Sequence, residues 1–331
     1  MGKIRVGVLR GGPSSEYKIS LMTGENVLKF LPQEKFEPHD IFISKEGLWH
    51  MDGFPAAPGK ILAKLDCAFN ALHGEYGEDG EVQQILEAHS IPFTGSGIIP
   101  SALAMRKIDA KNIYERAGLK TPRSVLIKKS NNLIQRAREI REFLFPPWVV
   151  KPMSRGSSVG ITIAKMFPEL IAGLTKAFKY DNEVIAEEYI KGREATAGVV
   201  EHFRSEPYYA FPVVEIIPPG EFFDYEVKYN DRTHELCPAN FPLEISRKIQ
   251  EMAIAAHRAL GLRHYSRSDF IVGSASPDGA VGASRKGIFI LETNSLPGLT
   301  SESLLPKASE AIGLSFPNLL DHIVTLALAK K

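Results

Sequence analysis

Within its first hundred residues the chain switches repeatedly between short apolar runs and stretches of helical period, and this alternation constrains the fold more than any other feature. Residues 4–8 read as a buried strand, 20–30 as a helix, 39–43 and 67–72 as strands, and 82–88 as a helix. Strands that run the same way need a crossover between them, usually helical, and burial on both faces removes the alternation of a half-exposed strand. An α/β fold with a parallel sheet covered by helices is therefore expected. Ligands of such sheets collect beyond the carboxyl ends of the strands, which directs attention to Gly11-Gly12-Pro13-Ser14-Ser15-Glu16 and to His73-Gly74-Glu75.

At 331 residues the chain is long for one core, and two or three domains are expected. A turn-rich segment, Ile91-Pro92-Phe93-Thr94-Gly95-Ser96-Gly97, suggests a first unit over residues 1–100. A second unit, 101–185, opens with a helix at 102–117 and continues with strands at 122–127 and 148–152. A third, 186–331, ends in a helix at 316–329. Residues 218–240 mix Pro, Gly, Asp, Asn and aromatics, the composition of a long functional loop. A net charge of +1 argues against a nucleic-acid surface, and no run approaches the roughly 18 apolar residues of a membrane span. Two cysteines, Cys67 and Cys237, are too few for a disulfide framework, and Cys67 reads as core. A cytoplasmic protein is expected.

Three groups of residues carry chemistry. Asp269 and Glu292 each close or interrupt an apolar β-type run, and Asn294 follows two residues after Glu292 on the same face. Two carboxylates and a carboxamide without His or Cys suit Mg2+ shared with substrate phosphates, although satisfied polar strand ends would look the same. Gly156-Ser157-Ser158-Val159-Gly160, within a Gly/Ser loop between two strands, can turn several backbone N–H groups towards an anion, as can any tight hairpin. Lys151, at the end of the strand before it, must reach water or an anion, and a nucleotide phosphate is one such anion. Lys107 is a second candidate, or a solvated helical lysine. Glu187-Glu188-Tyr189-Ile190 and Glu194 offer acids for ribose hydroxyls and an adenine amine, or simply face water.

In order and spacing these groups resemble the ATP-grasp ligases, and among them the D-alanine–D-alanine ligases. The resemblance runs from the first strand to the last helix. It rests on Gly11-Gly12-Pro13-Ser14-Ser15-Glu16, Ala71-Leu72-His73-Gly74, Tyr76-Gly77-Glu78-Asp79-Gly80, Pro92-Phe93-Thr94-Gly95-Ser96-Gly97 and Val150-Lys151-Pro152. It continues through the Gly/Ser loop, Phe223-Asp224-Tyr225-Glu226-Val227-Lys228-Tyr229, Arg267-Ser268-Asp269-Phe270 and Glu292-Thr293-Asn294-Ser295-Leu296-Pro297-Gly298-Leu299-Thr300. It implies an ATP-grasp fold: a Rossmann-like N-terminal substrate-binding domain, a central ATP-grasp subdomain and a C-terminal catalytic one.

The resemblance further implies ATP-dependent joining of two D-alanines through an acyl phosphate, supplying peptidoglycan precursor in a bacterial cytoplasm. Asp269, Glu292 and Asn294 would hold Mg2+, two ions in all, with Mn2+ as a substitute. Lys107, Lys151 and the loop residue Lys228 would handle the ATP phosphates, and Glu187, Glu188, Tyr189, Ile190 and Glu194 the rest of the nucleotide. Arg267 and the Gly298 N–H would stabilise the oxyanion. Glu16 would hold the first ammonium, with His73 and Ser157 nearby, and Ser303 and Leu304 the second carboxylate. Tyr229, bonded to Ser157 and Glu16, would favour an amine over a hydroxy acid as acceptor. A homodimer through the first domain is also implied, with no nucleic-acid or membrane partner.

The alternatives are a D-Ala–D-Ser or D-Ala–D-Lac ligase and, from another class, a nucleotide-binding regulatory module without turnover. A nicotinamide dehydrogenase lacks its glycine spacing in residues 10–16, and His73 and His89 have no partner at zinc-ligand spacing. Arg155 departs from the family pattern and adds a cation to the Gly/Ser loop.

Overall fold

A computed structural model describes residues 2–156, 159–217, 234–274 and 286–329. The chain opens with β1 (Ile4–Gly11), where Val6 to Leu9 are wholly buried. After α1 (Tyr17–Phe30) it returns as β2 (Phe36–Ile43), then forms the short strands β3 (Trp49–Met51) and β4 (Phe54–Pro55). Helix α2 (Pro58–Leu62), strand β5 (Cys67–Asn70) and helix α3 (Glu81–Ala88) complete the region. The sheet runs β4-β3-β2-β1-β5, with β2 and β5 parallel to β1 on either side and β3 and β4 antiparallel at the edge. At the carboxyl end of β1 the chain turns through Gly11 at φ +91°, where a Cβ would stand 2.3 Å from the Ile43 carbonyl oxygen, so only glycine fits.

The helix expected at 102–117 is two helices. The first, α4 (Ile98–Met105), ends at Arg106, whose extended backbone (φ −83°, ψ 100°) separates it from α5 (Lys107–Arg116). The Arg106 guanidinium donates to Asp109 at 2.8 Å and to Glu183 at 2.6 Å, contacts that hold the break and that local helical period does not reveal.

The second sheet, ordered β6-β9-β7-β8, contains β6 (Ser124–Lys128), β7 (Trp148–Pro152), β8 (Thr162–Ala164) and β9 (Glu183–Glu188), all antiparallel to their neighbours. Helices α6 (Leu133–Phe143) and α7 (Phe167–Ala177) share a core with it that includes Ile140, Trp148, Val150, Leu170 and Leu174. The third sheet has β13 (His234–Leu236), β12 (Val214–Ile217), β10 (Gly192–Phe203), β14 (Tyr265–Gly273) and β15 (Gly287–Asn294) in that order, with β11 (Glu206–Ala210) paired to β10. Helix α8 (Leu243–Ala259) covers this sheet together with α4 and α5, through Tyr114, Ile249, Phe270 and Ile290. The last helices are α9 (Leu304–Glu310) and α10 (Phe316–Leu328).

Helix α10 packs back on the first sheet. Leu319, Leu320, Ile323 and Val324 are buried with Val6, Val8, Val27 and Phe69 in one core. Each such side chain contributes about 1.5–3 kcal/mol over an exposed one, so the C-terminal helix ties the two ends of the chain together. No helix among the described residues is long and apolar enough to cross a membrane.

Candidate active site

The second and third sheets and the loops after β1 and β5 enclose a cleft of about 950 Å3. Asp269 enters it from the middle of β14, a correction to the strand end expected from the sequence. The strand continues through the charged stretch because its sides alternate: Ser266, Ser268 and Phe270 are buried, while Arg267 and Asp269 turn to the cleft. Asp269 pairs in register with Glu292 of β15, and Arg267 with Asn294. Between Glu292 and Ile290, which pair with Asp269 and Phe270, Leu291 is an extra residue, a bulge that re-aims the strand beside the site. Behind the carboxylates, Ser268 and Thr293 hydroxyls lie 2.8 Å apart, and the Tyr114 hydroxyl donates to Thr293 Oγ1 at 2.8 Å. That buried chain of hydroxyls fixes α5 to both strands.

The Arg267 guanidinium binds Asp269 twice, Nε to Oδ1 at 3.0 Å and a terminal nitrogen to Oδ2 at 2.9 Å. Thr196 Oγ1 donates to Oδ1 at 2.7 Å, and Asn294 Nδ2 to Oδ2 at 3.3 Å. Burial opposes the charge on Arg267, but Asp269, Glu292 and Glu78 outweigh it and raise its pKa, so it stays cationic. Among the described residues no three His, Cys, Asp or Glu side chains form a metal cluster. The oxygen-only set of Asp269, Glu292 and Asn294 has the donor chemistry of a hard divalent cation site completed by phosphate oxygens; Asp269 already accepts two bonds on each oxygen, so a cation there would replace one of them.

Two lysines reach the cleft from different elements. Lys107, the first residue of α5, donates to the Arg155 carbonyl at 2.7 Å and lies 3.7 Å from Glu292. Lys151, near the end of β7, lies 2.7 Å from Glu187 Oε2, and Lys111 lies 2.9 Å from Glu187 Oε1. Burial alone would push the Glu187 carboxyl up, but the two ammonium groups hold it down at about 2. Glu187 thus departs from the expected role of a free hydrogen-bonding acid: it stands at the cleft wall with both oxygens taken by lysines. Burial lowers the pKa of Lys111, whereas Lys151, with Glu292 and Glu194 also nearby, is held above its usual value. Glu188 accepts from the Arg123 backbone at 2.8 Å and its side chain at 3.2 Å. Tyr189, Ile190 and Glu194 line the same cleft.

At the other end, Glu16 precedes α1 as its N-cap residue without a side-chain cap bond, and lines the cleft with His73. The His73 ring sits between Thr23 Oγ1, at 2.8 Å, and Glu78, at 3.7 Å. Ser303 is the N-cap residue of α9, yet its hydroxyl turns to Thr300, accepting from the backbone N–H at 3.0 Å and lying 2.8 Å from Oγ1. Gly298 faces it closely; a Cβ there would lie 2.8 Å from Ser303 Oγ. Leu304 is the first residue of α9 and also lines the cleft. Arg155 lines the cleft and contacts Glu75, and its Nε donates to the Tyr180 carbonyl at 3.2 Å. Ser157, Lys228 and Tyr229 lie outside the described residues.

Known proteins are similar to the chain along nearly its whole length. The family description "D-ala D-ala ligase C-terminus" matches residues 113–325, and "D-ala D-ala ligase N-terminus" matches 5–59 and 53–96. The chain belongs to the D-alanine–D-alanine ligase family. A D-alanine–D-alanine ligase from Geotalea uraniireducens is 38% identical over 98% of this chain and 96% of its own. The VanG D-Ala:D-Ser ligase from Enterococcus faecalis superposes with a TM-score of 0.84 at 32% identity, covering 98% of this chain and 100% of that one. The D-alanine–D-alanine ligase from Bacillus anthracis gives a TM-score of 0.77 at 33% identity, covering 98% and 97%. The fold is accordingly that of the ATP-grasp enzymes with a Rossmann-like N-terminal sheet.

Several residues that support this ligase-family cleft from behind its wall were not assigned a role from the sequence. Lys111 lies four residues after Lys107, on the same helix face, and that spacing was a usable signal. Thr196, which supports Asp269 from β10, carries no such mark. Glu75, already placed at a site by His73-Gly74-Glu75, accepts from Ser14 Oγ at 3.0 Å and from the Ser15 backbone at 3.1 Å, a contact made only when the two loops meet.

Proposed function

We propose that the chain joins two D-alanine molecules at the expense of ATP, yielding D-alanyl-D-alanine, ADP and phosphate. A carboxylate is a poor electrophile, so the first D-alanine carboxylate attacks the γ-phosphorus of ATP and ADP leaves. The amine of the second D-alanine then adds to the acyl-phosphate carbonyl, and collapse of the tetrahedral intermediate expels phosphate. Lys107 and Lys151 bind the triphosphate, and Arg267 with the Gly298 N–H faces the developing oxyanion. Glu16 and His73 orient the first D-alanine; Ser303 and Leu304 receive the second. Glu188, Tyr189, Ile190 and Glu194 line the nucleoside end. Mg2+ held by Asp269, Glu292 and Asn294, two ions with Mn2+ as a substitute, supplies charge neutralisation of the phosphates.

Ser157, Lys228 and Tyr229, which lie outside the described residues, would complete the site, Lys228 at the transferring phosphate and Tyr229 with Ser157 and Glu16; of the loop expected at 218–240, residues 234–236 are instead the strand β13, paired with β12. Three units over residues 1–100, 101–185 and 186–331 are part of this reading, with the second sheet running on to residue 188 through β9 and with α4 and α5 lying against the third sheet. A cytoplasmic homodimer without nucleic-acid or membrane partners completes the reading.

The observation that carries it is the convergence on one cleft of two lysines, an arginine and an all-oxygen donor set. The test is phosphate release from ATP with D-alanine alone or with D-serine or D-lactate added, followed by product mass. D-alanine-dependent release with a D-alanyl-D-alanine product is expected; no release with D-alanine in any combination refutes the reading. A D-Ala–D-Ser product is the second possibility, favoured by the likeness to the Enterococcus faecalis enzyme.

A further inference from the structure

Lys111 takes no part in the steps above, yet it is among the largest fully buried side chains of the protein. It stands one helical turn after Lys107 on α5 but does not line the cleft. Its Nζ donates to Thr121 Oγ1 at 2.8 Å and lies 2.9 Å from Glu187 Oε1, while the other Glu187 oxygen lies 2.7 Å from Lys151. The side chains of Lys111 and Glu187 are each 2% exposed and that of Lys151 11%, so three charges share a space nearly closed to water. A buried ion pair is a weak device for stability, because a well-packed apolar pair serves as well or better. A third buried charge on the same carboxylate calls for another account.

A carboxylate clamped between two ammonium groups leaves one net positive charge, and of the two lysines only Lys151 faces the cleft. Without Lys111, the pair Glu187–Lys151 is neutral, and an anion in the cleft meets a cancelled charge at short range. We propose that Lys111 is a positioning residue for the nucleotide triphosphate: it neutralises Glu187 from behind and so leaves the charge of Lys151 directed into the cleft. This rests on the reading of the cleft as an ATP site. It assigns Glu187 the role of a hinge between two lysines, which explains why a carboxylate stands beside a phosphate-binding lysine at all.

The test measures Mg-ATP binding by calorimetry, and KM and kcat for D-alanine-dependent phosphate release, on the full chain. Lys111→Met, close in volume but uncharged, is expected to weaken ATP binding at least about tenfold, the order for withdrawing one charge from a largely buried anion site. KM for ATP should rise more than kcat falls. In Lys111→Met/Glu187→Gln the carboxylate is gone as well, the net charge is restored, and binding should return to within about threefold of wild type. A purely structural role makes the double variant worse than the single one. Wild-type binding by Lys111→Met overturns the proposal, as does failure of a cooperatively melting double variant to recover. If Lys111→Met does not fold, Glu187→Gln decides: Lys151 then faces the triphosphate uncancelled with the charge of Lys111 behind it, binding should tighten, and a loss overturns the proposal. Absence of ATP binding by the wild type would instead refute the reading of the cleft.

Discussion

Replacing Gly156 by alanine separates catalysis from folding. Gly156 does not have a left-handed backbone, so alanine is not strained there, and the three atoms nearest its methyl group all belong to the Glu16 carboxyl group. The added Cβ would stand 2.2 Å from Glu16 Oε1, against a practical minimum of 3.0 Å, so the carboxylate must retreat by at least 0.8 Å. Glu16 makes no side-chain cap bond to α1, so its retreat removes no helix cap. The alanine itself restricts the unfolded chain and offsets that by about 0.4–1 kcal/mol. The melting temperature should therefore stay near that of the wild type. Substrate placement should not: a displacement near 1 Å at a positioning group costs about a hundredfold in rate. Steady-state kinetics should show kcat/KM for the first D-alanine down by about ten- to a hundredfold, with ATP binding unchanged. Unchanged kcat/KM in a folded variant, or an equal loss of ATP affinity, would refute the placement of Glu16 at the first-substrate end of the cleft.

Asp269→Asn should lower kcat at least about a hundredfold and also destabilise the protein by about 1–3 kcal/mol, because Arg267 loses both its bonds to a charged partner; urea unfolding and phosphate release check the two halves separately. Glu187 has a folded pKa of about 2, below its ordinary 4.5. Its contribution to stability is then complete above about pH 4.5 and lost as the pH falls towards 2, and unfolding measured across that window should be less steep in pH for Glu187→Gln than for the wild type. Burial pushes the Cys67 thiol up to about 12, so alkylation of the native protein should spare it and reach only the half-buried Cys237, with Cys67 reacting after denaturation; equal labelling of both would contradict the core packing. Tyr229→Phe should weaken discrimination against D-lactate as acceptor, measured by product mass at several pH values; unchanged selectivity sinks that role for the hydroxyl.

Much of this protein is written locally. Apolar runs such as residues 6–9 identify buried strands without reference to anything distant, because burial on both faces requires every side chain in the run to be apolar. The kinds of chemistry available are also local: a lysine ending an apolar strand, a glycine-rich hairpin, and carboxylates on strands near the C-terminus each state what an element can offer. The tertiary structure alone decides who receives the offer. A helix shows an apolar face but not the sheet that will cover it, so nothing in residues 316–328 says that they close the core of the first strand, nor in 107–116 that they lie on the third sheet. The break at Arg106 depends on Glu183, 77 residues away, and Asp269 sits within a strand because Thr196 and Arg267 satisfy it there. Glu187, too, looks like a ligand-binding acid in one dimension, and only the approach of Lys111 from a helix 76 residues earlier converts it into a buried counter-ion. Charges interact through space with a strength set by burial, and neither distance nor burial is encoded by neighbours along the chain.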